Sequence, residues 1–165
     1  MSADYYENFK SGSDRIDDNI LIYKNANGEL HRKYKPAVTK YWLVGKDSKG
    51  RQVRRHCEKL YFVDGLLHRA RAPAYIHYDW NGNKISESHY SNDKEHRISG
   101  PAIIHHADYF STEAEWYLDG QFYFQKERHG PDSWQGFWDW MVENSIDAYN
   151  LTVGDWVAIK LMLSD

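Results

Sequence analysis

Cysteine is nearly absent from this chain of 165 residues, because Cys57 is the only one. A single cysteine excludes an internal disulfide and favours a reducing compartment such as the cytoplasm. The chain also lacks a run of 18 apolar residues, and its N-terminus lacks the apolar stretch of a signal peptide. We therefore expect a cytoplasmic protein that makes no use of a membrane.

Proline is also scarce, and its four copies occupy equivalent positions of an internal repeat. Each repeat has a small turn residue, a bulky residue, His-Arg, a three-residue gap and Pro-Ala followed by apolar or β-branched residues. The clear copies are GELHRKYKPAVT at 28–39, GLLHRARAPAYI at 65–76 and DKEHRISGPAII at 93–104, and a degenerate copy without His-Arg runs from Gly120 to Pro131. The residues that recur are His31, Arg32, Pro36, His68, Arg69, Pro73, His96, Arg97 and Pro101. Since proline has no backbone donor, this slot marks where the chain leaves one strand and bends into the next.

The turn residues predict a sheet made of successive hairpins. Short apolar or aromatic strands flank Asn-Gly and Asp-Gly pairs, in which both residues tolerate the positive φ of a tight hairpin turn. The pairs are Asn27-Gly28, Asp64-Gly65, Asn81-Gly82 and Asp119-Gly120. A charged turn at 45–51 interrupts the repeat spacing and should project as a hairpin tip. We predict an antiparallel meander sheet over residues 19–131.

The pattern changes to helical periodicity after Pro131. Apolar residues recur at helical spacing from Trp134 to Val142, with Asp132 or Ser133 available as the N-cap. A capping box at 152–155 precedes a second apolar stretch. We therefore predict an α+β fold of one domain, residues 1–165, with a flexible N-terminus at 1–18, the hairpin-repeat sheet at 19–131 and a helical cap at 132–165. The helices should pack on the sheet through Trp134, Phe137, Trp138, Met141, Trp156 and Ile159.

The strand, Asp/Asn-Gly, His-Arg and Gly-Pro-Ala pattern (YFVDGLLHR, EHRISGPAII, WYLDG) resembles the MORN-like variant repeats of proteins from tailed phages and bacteria. The resemblance covers about residues 20–131. It departs from the pattern at Lys35 and Ala72, which replace the glycine before proline. It implies a sheet of hairpins, and as a function it implies a phage-type accessory factor that binds and inhibits or redirects a host protein, or a defence component, acting in the host cytoplasm.

The repeated His-Arg pairs support a structural role more strongly than a functional one. A row of arginines can grip phosphates or carboxylates, but a pair that recurs with the structural unit usually stabilises contacts between neighbouring repeats. The nine histidines show no zinc-ligand spacing, and no nucleophile or phosphate-loop motif occurs. We therefore predict no enzyme activity, catalytic residue, metal or cofactor.

A basic block stands out in this acidic chain, whose net charge is −3. Residues 24–59 hold eleven Lys and Arg against three Asp and Glu, a balance of +8. Exposed loops often carry function, and aromatic residues beside arginine are typical of interface hot spots. We predict an acidic protein partner bound by Tyr41, Trp42, Lys46, Lys49, Arg51, Arg54 and Arg55.

Two other functions remain open from the sequence. Basic residues interleaved with aromatics at 33–35, 40–42 and 51–55 are compatible with a nucleic-acid binder that uses the 24–59 block. Against this, the pI of 6.3 is low for a nucleic-acid-binding domain. The third possibility is a small-molecule-sequestering protein or hydrolase with a histidine-lined pocket.

Overall fold

The computed structural model describes residues 14–17, 19–129 and 133–164, with the backbone alone at 14–17. The chain divides into two compact units, Met1–Lys94 and Glu95–Asp165. The predicted assignment of residues 1–165 to a single domain stays a prediction.

The first unit is built from antiparallel strands. They are β1 (Asp14–Asp17), β2 (Ile20–Ile22), β3 (Val38–Lys46), β4 (Gln52–Leu60), β5 (Phe62–Val63), β6 (Leu66–Leu67), β7 (Tyr75–Tyr78), β8 (Lys84–Ser88) and β9 (Tyr90–Ser91), and β10 (Lys94–Glu95) lies at the boundary between the units. Among the described residues of this unit, the main sheet has the order β1-β2-β3-β4-β7-β8, and β5 pairs with β6 as a separate short hairpin. This is the meander that the repeat predicts.

The sheet begins earlier than the sequence analysis predicted. Residues 14–17, which we assigned to a flexible N-terminus, form β1 and pair with β2 through a bulge. An edge strand is held by backbone hydrogen bonds, so a polar sequence such as DRID can form one without an apolar pattern. The other residues of the predicted N-terminal segment lie outside the described part of the chain.

Successive repeats make equivalent backbone hydrogen bonds. His31 N donates to Tyr23 O at 3.1 Å, and His68 N donates to Tyr61 O at 2.9 Å. The alanine after proline is fully buried in the first two repeats, at Ala37 and Ala74. A larger side chain has no room there, which explains why the repeat carries Pro-Ala.

Two predicted tight turns adopt the expected backbone. Asp64 and Gly65 have φ of 48° and 79°, and Asp119 and Gly120 have φ of 52° and 81°. Positive φ at both central residues matches the right-handed twist of the flanking strands.

The other two turns are built differently from the prediction. At Asn27-Gly28 and Asn81-Gly82 only the glycine has positive φ. Each turn starts earlier, because Asn25 Oδ1 accepts the N–H of Glu29 at 3.0 Å and Asp79 Oδ1 accepts the N–H of Asn83 at 2.8 Å. A side-chain acceptor at the first position stabilises a longer turn that ends at glycine.

The second unit contains three strands and two helices within the described residues. They are β11 (Ile103–His105), β12 (Thr112–Leu118), β13 (Gln121–Glu127), α1 (Gln135–Glu143) and α2 (Val153–Met162). β12 pairs with β11 on one side and with β13 on the other, both antiparallel. This completes an α+β fold of antiparallel meander strands followed by two C-terminal helices, and it confirms the predicted fold class.

Each unit has its own core. The core of the first unit includes Ile22, Leu30, Val38, Leu60, Phe62 and Leu67. In the second unit, the helices pack on Trp116 and Phe124 of the sheet through Phe137, Met141, Trp156 and Ile159, with Trp134 and Trp138 partly buried against them. The predicted packing residues of the helices are confirmed.

The predicted N-terminal cap is present in α2 and differs in α1. The capping box of α2 is present, since Thr152 Oγ1 accepts from Asp155 N at 3.2 Å and Asp155 Oδ2 accepts from Thr152 N at 2.8 Å. The α1 helix instead starts after Trp134, which makes no side-chain cap. The predicted cap at Ser133 is therefore wrong, and Asp132 lies outside the described residues.

Candidate interaction surface of the long hairpin

The β3–β4 hairpin has a tip fixed by its own side chains. Asp47 Oδ1 accepts the N–H groups of Lys49 and Arg51, both at 2.9 Å, and Arg51 Nε donates to Asp47 Oδ2 at 2.8 Å. The backbone N–H of Arg51, followed by its guanidinium, holds the pKa of Asp47 below its ordinary value. Lys46 and Lys49 remain exposed at this tip.

One face of the hairpin base carries two tryptophans and an arginine. Trp42 and Arg55 are cross-strand partners. The Trp80 ring centroid lies 5.8 Å from that of Trp42, and Arg55 Nη1 donates to Trp80 O at 3.0 Å. Trp42 is 37% exposed and Trp80 is 52% exposed. We call Trp42, Arg55 and Trp80 the tryptophan patch.

Trp80 was missed in the sequence analysis. It lies in the turn after β7, where the Asp79-Trp-Asn-Gly82 sequence signalled only a turn. No signal in the sequence set it apart, because single exposed apolar side chains are common on protein surfaces.

The other face carries a row of aromatic rings. Tyr41 and Trp42 are consecutive in β3, so their side chains point to opposite faces. The Tyr41 and His56 ring centroids lie 5.2 Å apart, and those of His56 and Tyr78 lie 6.2 Å apart. Burial, with a smaller effect of Lys59, lowers the pKa of His56, which favours the neutral form of the ring.

Two cations lie over the ends of this row. The Arg54 guanidinium is 5.9 Å from the Tyr41 ring centroid, and Lys59 Nζ is 5.0 Å from that of Tyr78. We call Tyr41, His56, Tyr78, Arg54 and Lys59 the tyrosine row. The structure thus divides the predicted contact residues between the tip and two faces: it brings Trp42 and Arg55 together and Tyr41 and Arg54 together.

The His-Arg pairs make contacts within the repeat framework. The guanidinium carbons of Arg32 and Arg69 lie 3.6 Å and 3.8 Å from the ring centroids of Tyr23 and Tyr61. In the second and third repeats, Arg Nη1 donates to the carbonyl of the proline four residues on, at Pro73 and Pro101, both at 3.2 Å. Pro36 is partly buried.

The histidines of the first and third repeats hold the next hairpin turn. His31 Nδ1 accepts the N–H of Asp64 at 3.2 Å, and His96 Nδ1 accepts that of Asp119 at 3.1 Å. His68 Nδ1 is buried and has no hydrogen-bond partner among the described residues. The next turn there begins with Asn92 instead of aspartate.

One cluster has the donor set of a metal site. Ligand atoms of Cys57, Glu58 and His77 lie within 4.8 Å of one another. The bulge in the β3–β4 register leaves Cys57 without a partner in β3. However, Lys40 Nζ lies 2.8 Å from Glu58 Oε2 and already neutralises that carboxylate. Burial, then Glu58, raises the pKa of the Cys57 thiol, which disfavours a thiolate nucleophile.

Comparison with known proteins finds no relative that bears on these surfaces. No protein-family model matches the chain, and no curated protein or solved structure is significantly similar to it. No helix of the described residues is long and apolar enough to cross a membrane. The likeness to MORN-like variant repeats therefore rests on the repeated motif.

Proposed function

We propose that this chain is a non-enzymatic binding protein that holds an acidic protein partner on the β3–β4 hairpin. The tryptophan patch carries this proposal. Trp42 and Trp80 are exposed and pack side by side, and Arg55 links the strand of Trp42 to the turn that carries Trp80. Exposed tryptophans beside an arginine have the composition of an interface hot spot. The cationic tip at Lys46, Lys49 and Arg51 would favour association with an acidic surface.

The contact patch is preorganised. The Asp47 contacts fix the hairpin tip, and the hydrogen bond from Arg55 to the Trp80 carbonyl holds the turn after β7 against β4. A rigid aromatic surface loses little conformational entropy on binding, which favours affinity. Following the MORN-like resemblance, we assign the protein a role as a phage-type accessory factor that inhibits or redirects a cytoplasmic host protein.

A nucleic-acid partner is the second candidate, and the tyrosine row favours it specifically. Tyr41, His56 and Tyr78 present successive rings with Arg54 and Lys59 at the ends. Proteins that bind single strands combine such stacking platforms with positive charge, and stacking contributes about 1–3 kcal/mol per base. The two candidates use opposite faces of the same hairpin, so substitutions can separate them.

The test is affinity purification of the tagged protein from cells, with and without nuclease, using matched variants. Replacing Trp42 and Trp80 with Ala removes the tryptophan patch, and replacing Tyr41 and Tyr78 with Ala removes the tyrosine row. Tyr109→Ala is the control, because Tyr109 is 72% exposed and lies in the second unit.

We expect one protein to be recovered in stoichiometric amount, unaffected by nuclease. Loss of both tryptophans should weaken its binding by at least about thirtyfold, since a single hot-spot residue contributes at least about 2 kcal/mol and such contributions are not additive. The triple replacement of Arg51, Arg54 and Arg55 with Ala should weaken binding most at low salt. Recovery that nuclease abolishes and that depends on Tyr41 and Tyr78 would instead establish the nucleic-acid function.

A further inference from the structure

A cavity of about 660 Å³ lies between the His-Arg loops of the first and second repeats. Residues 31–34 line one side and residues 68–72 the other, and Tyr61 and Val63, from the segment between the two loops, also line the cavity. The volume is within the range of about 300–1,000 Å³ that is typical of small-molecule sites. The cavity belongs entirely to the first unit and is separate from the tryptophan patch and the tyrosine row.

The walls are held in place by backbone hydrogen bonds between the repeats. Arg32 N donates to Phe62 O at 3.2 Å, and Gly65 N donates to Leu30 O at 2.9 Å. The Arg69 guanidinium carbon lies 3.8 Å from the Tyr61 ring centroid, and this stacking contact holds the second loop against Tyr61. The cavity is therefore formed before any ligand binds.

The cavity surface is mainly apolar, and among its acidic and basic side chains only cations occur. Arg32, Lys33, Arg69 and Arg71 line the cavity, and no aspartate or glutamate does. Within the described part of the chain, none of these four cations forms an ion pair with a carboxylate. Stacking on a tyrosine face does not occupy the in-plane N–H donors of a guanidinium; Arg69 Nη1 donates to Pro73 O, and the remaining donors match phosphate oxygens. This chemistry selects an anion.

The third repeat has a different environment at the equivalent position. The third residue of its loop is Ile98, whose carbonyl accepts the indole N–H of Trp156 at 2.8 Å, so helix α2 lies over that loop. The equivalent residues of the first and second loops are Lys33 and Ala70, which line the open cavity. Helix α2 is thus hydrogen-bonded to the third loop, whereas Lys33 and Ala70 line the cavity between the first two.

Tyr34 supplies an aromatic surface beside these cations. It is 84% exposed, and its φ of 68° lies in the left-handed region that a bulky side chain rarely adopts. Lys33 Nζ lies 5.2 Å from the ring centroid. Strained backbone at an exposed aromatic has no stabilising role that the structure shows, and such outliers cluster at binding sites.

We propose that this cavity binds a mononucleotide, with the phosphate on the cations of the two loops and the base against Tyr34. A ligand of this class joins an anion to a flat aromatic ring, and the lining combines those two features. Base stacking on an aromatic side chain is tolerant of sequence, so any of the four bases fits this chemistry.

Isothermal titration calorimetry at low salt tests the proposal with three probes: adenosine 5′-monophosphate, adenosine and inorganic phosphate. The intact protein should bind the monophosphate with a Kd below about 1 mM and at least about tenfold more tightly than it binds either fragment. Replacing Lys33 and Arg71 with Ala should weaken the monophosphate by at least about tenfold, since hydrogen bonds to charged groups are the stronger ones. Replacing Lys94 and Lys160 with Ala removes the same charge elsewhere and should leave the affinity unchanged.

Tyr34→Gly gives an independent readout. Glycine accepts positive φ freely, so this variant should melt at a higher temperature than the original chain. Loss of the stacking ring should at the same time weaken the monophosphate by about 5- to 150-fold. A merely structural tyrosine would not combine higher stability with lower affinity.

Four results would overturn the proposal. They are no monophosphate binding at millimolar concentration, equal affinity for inorganic phosphate, unchanged affinity in the Lys33/Arg71 variant, and binding of oligonucleotides without mononucleotides. None of these results bears on the protein partner of the hairpin, because the cavity residues differ from those of the tryptophan patch.

Discussion

Replacing Trp116 with Phe tests whether a single buried indole organises the second unit. Trp116 has no exposed surface, and its Nε1 donates to Ala148 O at 2.8 Å in the buried interior. Its ring stacks on Phe124 with 4.8 Å between centroids. Phenylalanine preserves much of the stacking contact but removes the N–H donor and part of the ring.

Two losses determine how far Trp116→Phe lowers the free energy of unfolding. The Ala148 carbonyl is left buried without its donor, which costs about 1–3 kcal/mol. The missing ring atoms leave a cavity of about 40 Å³, which at about 24 cal/mol per Å³ costs about 1 kcal/mol. We therefore expect the free energy of unfolding to fall by about 2–4 kcal/mol, a large effect for one substitution.

Urea unfolding followed by circular dichroism measures this change as a lower midpoint at constant slope. Trp140→Phe is the matched control. The Trp140 ring is only partly buried, stacks on Phe137 at 5.9 Å, and makes no hydrogen bond through its indole nitrogen to a described residue. The control should lose less than about 1 kcal/mol, as expected for a substitution away from the fully packed interior. A loss for Trp116→Phe that is no larger than that of the control would refute this account of the core.

Three further predictions follow from single sites. A hydrogen bond from His105 holds the pKa of Glu115 below its ordinary value of 4.5. The stabilisation of the fold by the Glu115 carboxylate is therefore present above pH 4.5 and is lost as the pH falls through the lower pKa of the folded protein. Glu115→Gln should lower the free energy of unfolding by about 1 kcal/mol at pH 6 and by much less at acid pH, as measured by urea titrations over a pH series. Gly100→Ala should lower stability by about 1–3 kcal/mol, because φ is +145° and an added Cβ would lie 3.0 Å from a backbone oxygen, whereas Gly136→Ala meets no atom within 4 Å and should not lower the thermal midpoint. The buried Cys57 thiol, with its raised pKa, should react with a disulfide reagent at pH 8 about a hundredfold more slowly in the folded protein than in urea, and equal rates would contradict its burial.

Local patterns were sufficient to predict the class of fold. The repeat of turn residues and prolines predicted an antiparallel meander because such residues restrict their own backbone, whatever lies around them. The helical spacing of Trp134, Phe137 and Met141 predicted a buried helix face for the same reason. The strand at 14–17 escaped prediction, since backbone pairing at a sheet edge leaves little trace in the side-chain pattern.

The candidate surfaces depended on contacts between distant residues. Trp42 and Arg55 were predicted as neighbours of the hairpin tip, but Trp80 joins them only because β7 lies beside β4. The repeat pattern placed Lys33 and Arg71 in two successive repeat loops and could not show that the loops enclose a cavity.

The sequence by itself determined the hairpin repeat, the two terminal helices and the position of the basic block, because each depends on residues near one another in the chain. Only the tertiary structure decided which cations lie against tyrosine rings, which loop is covered by a helix, and which residues stay open to a ligand. Those features depend on strand order and register, and a shift of one residue in register would move every side chain of a strand to the other face.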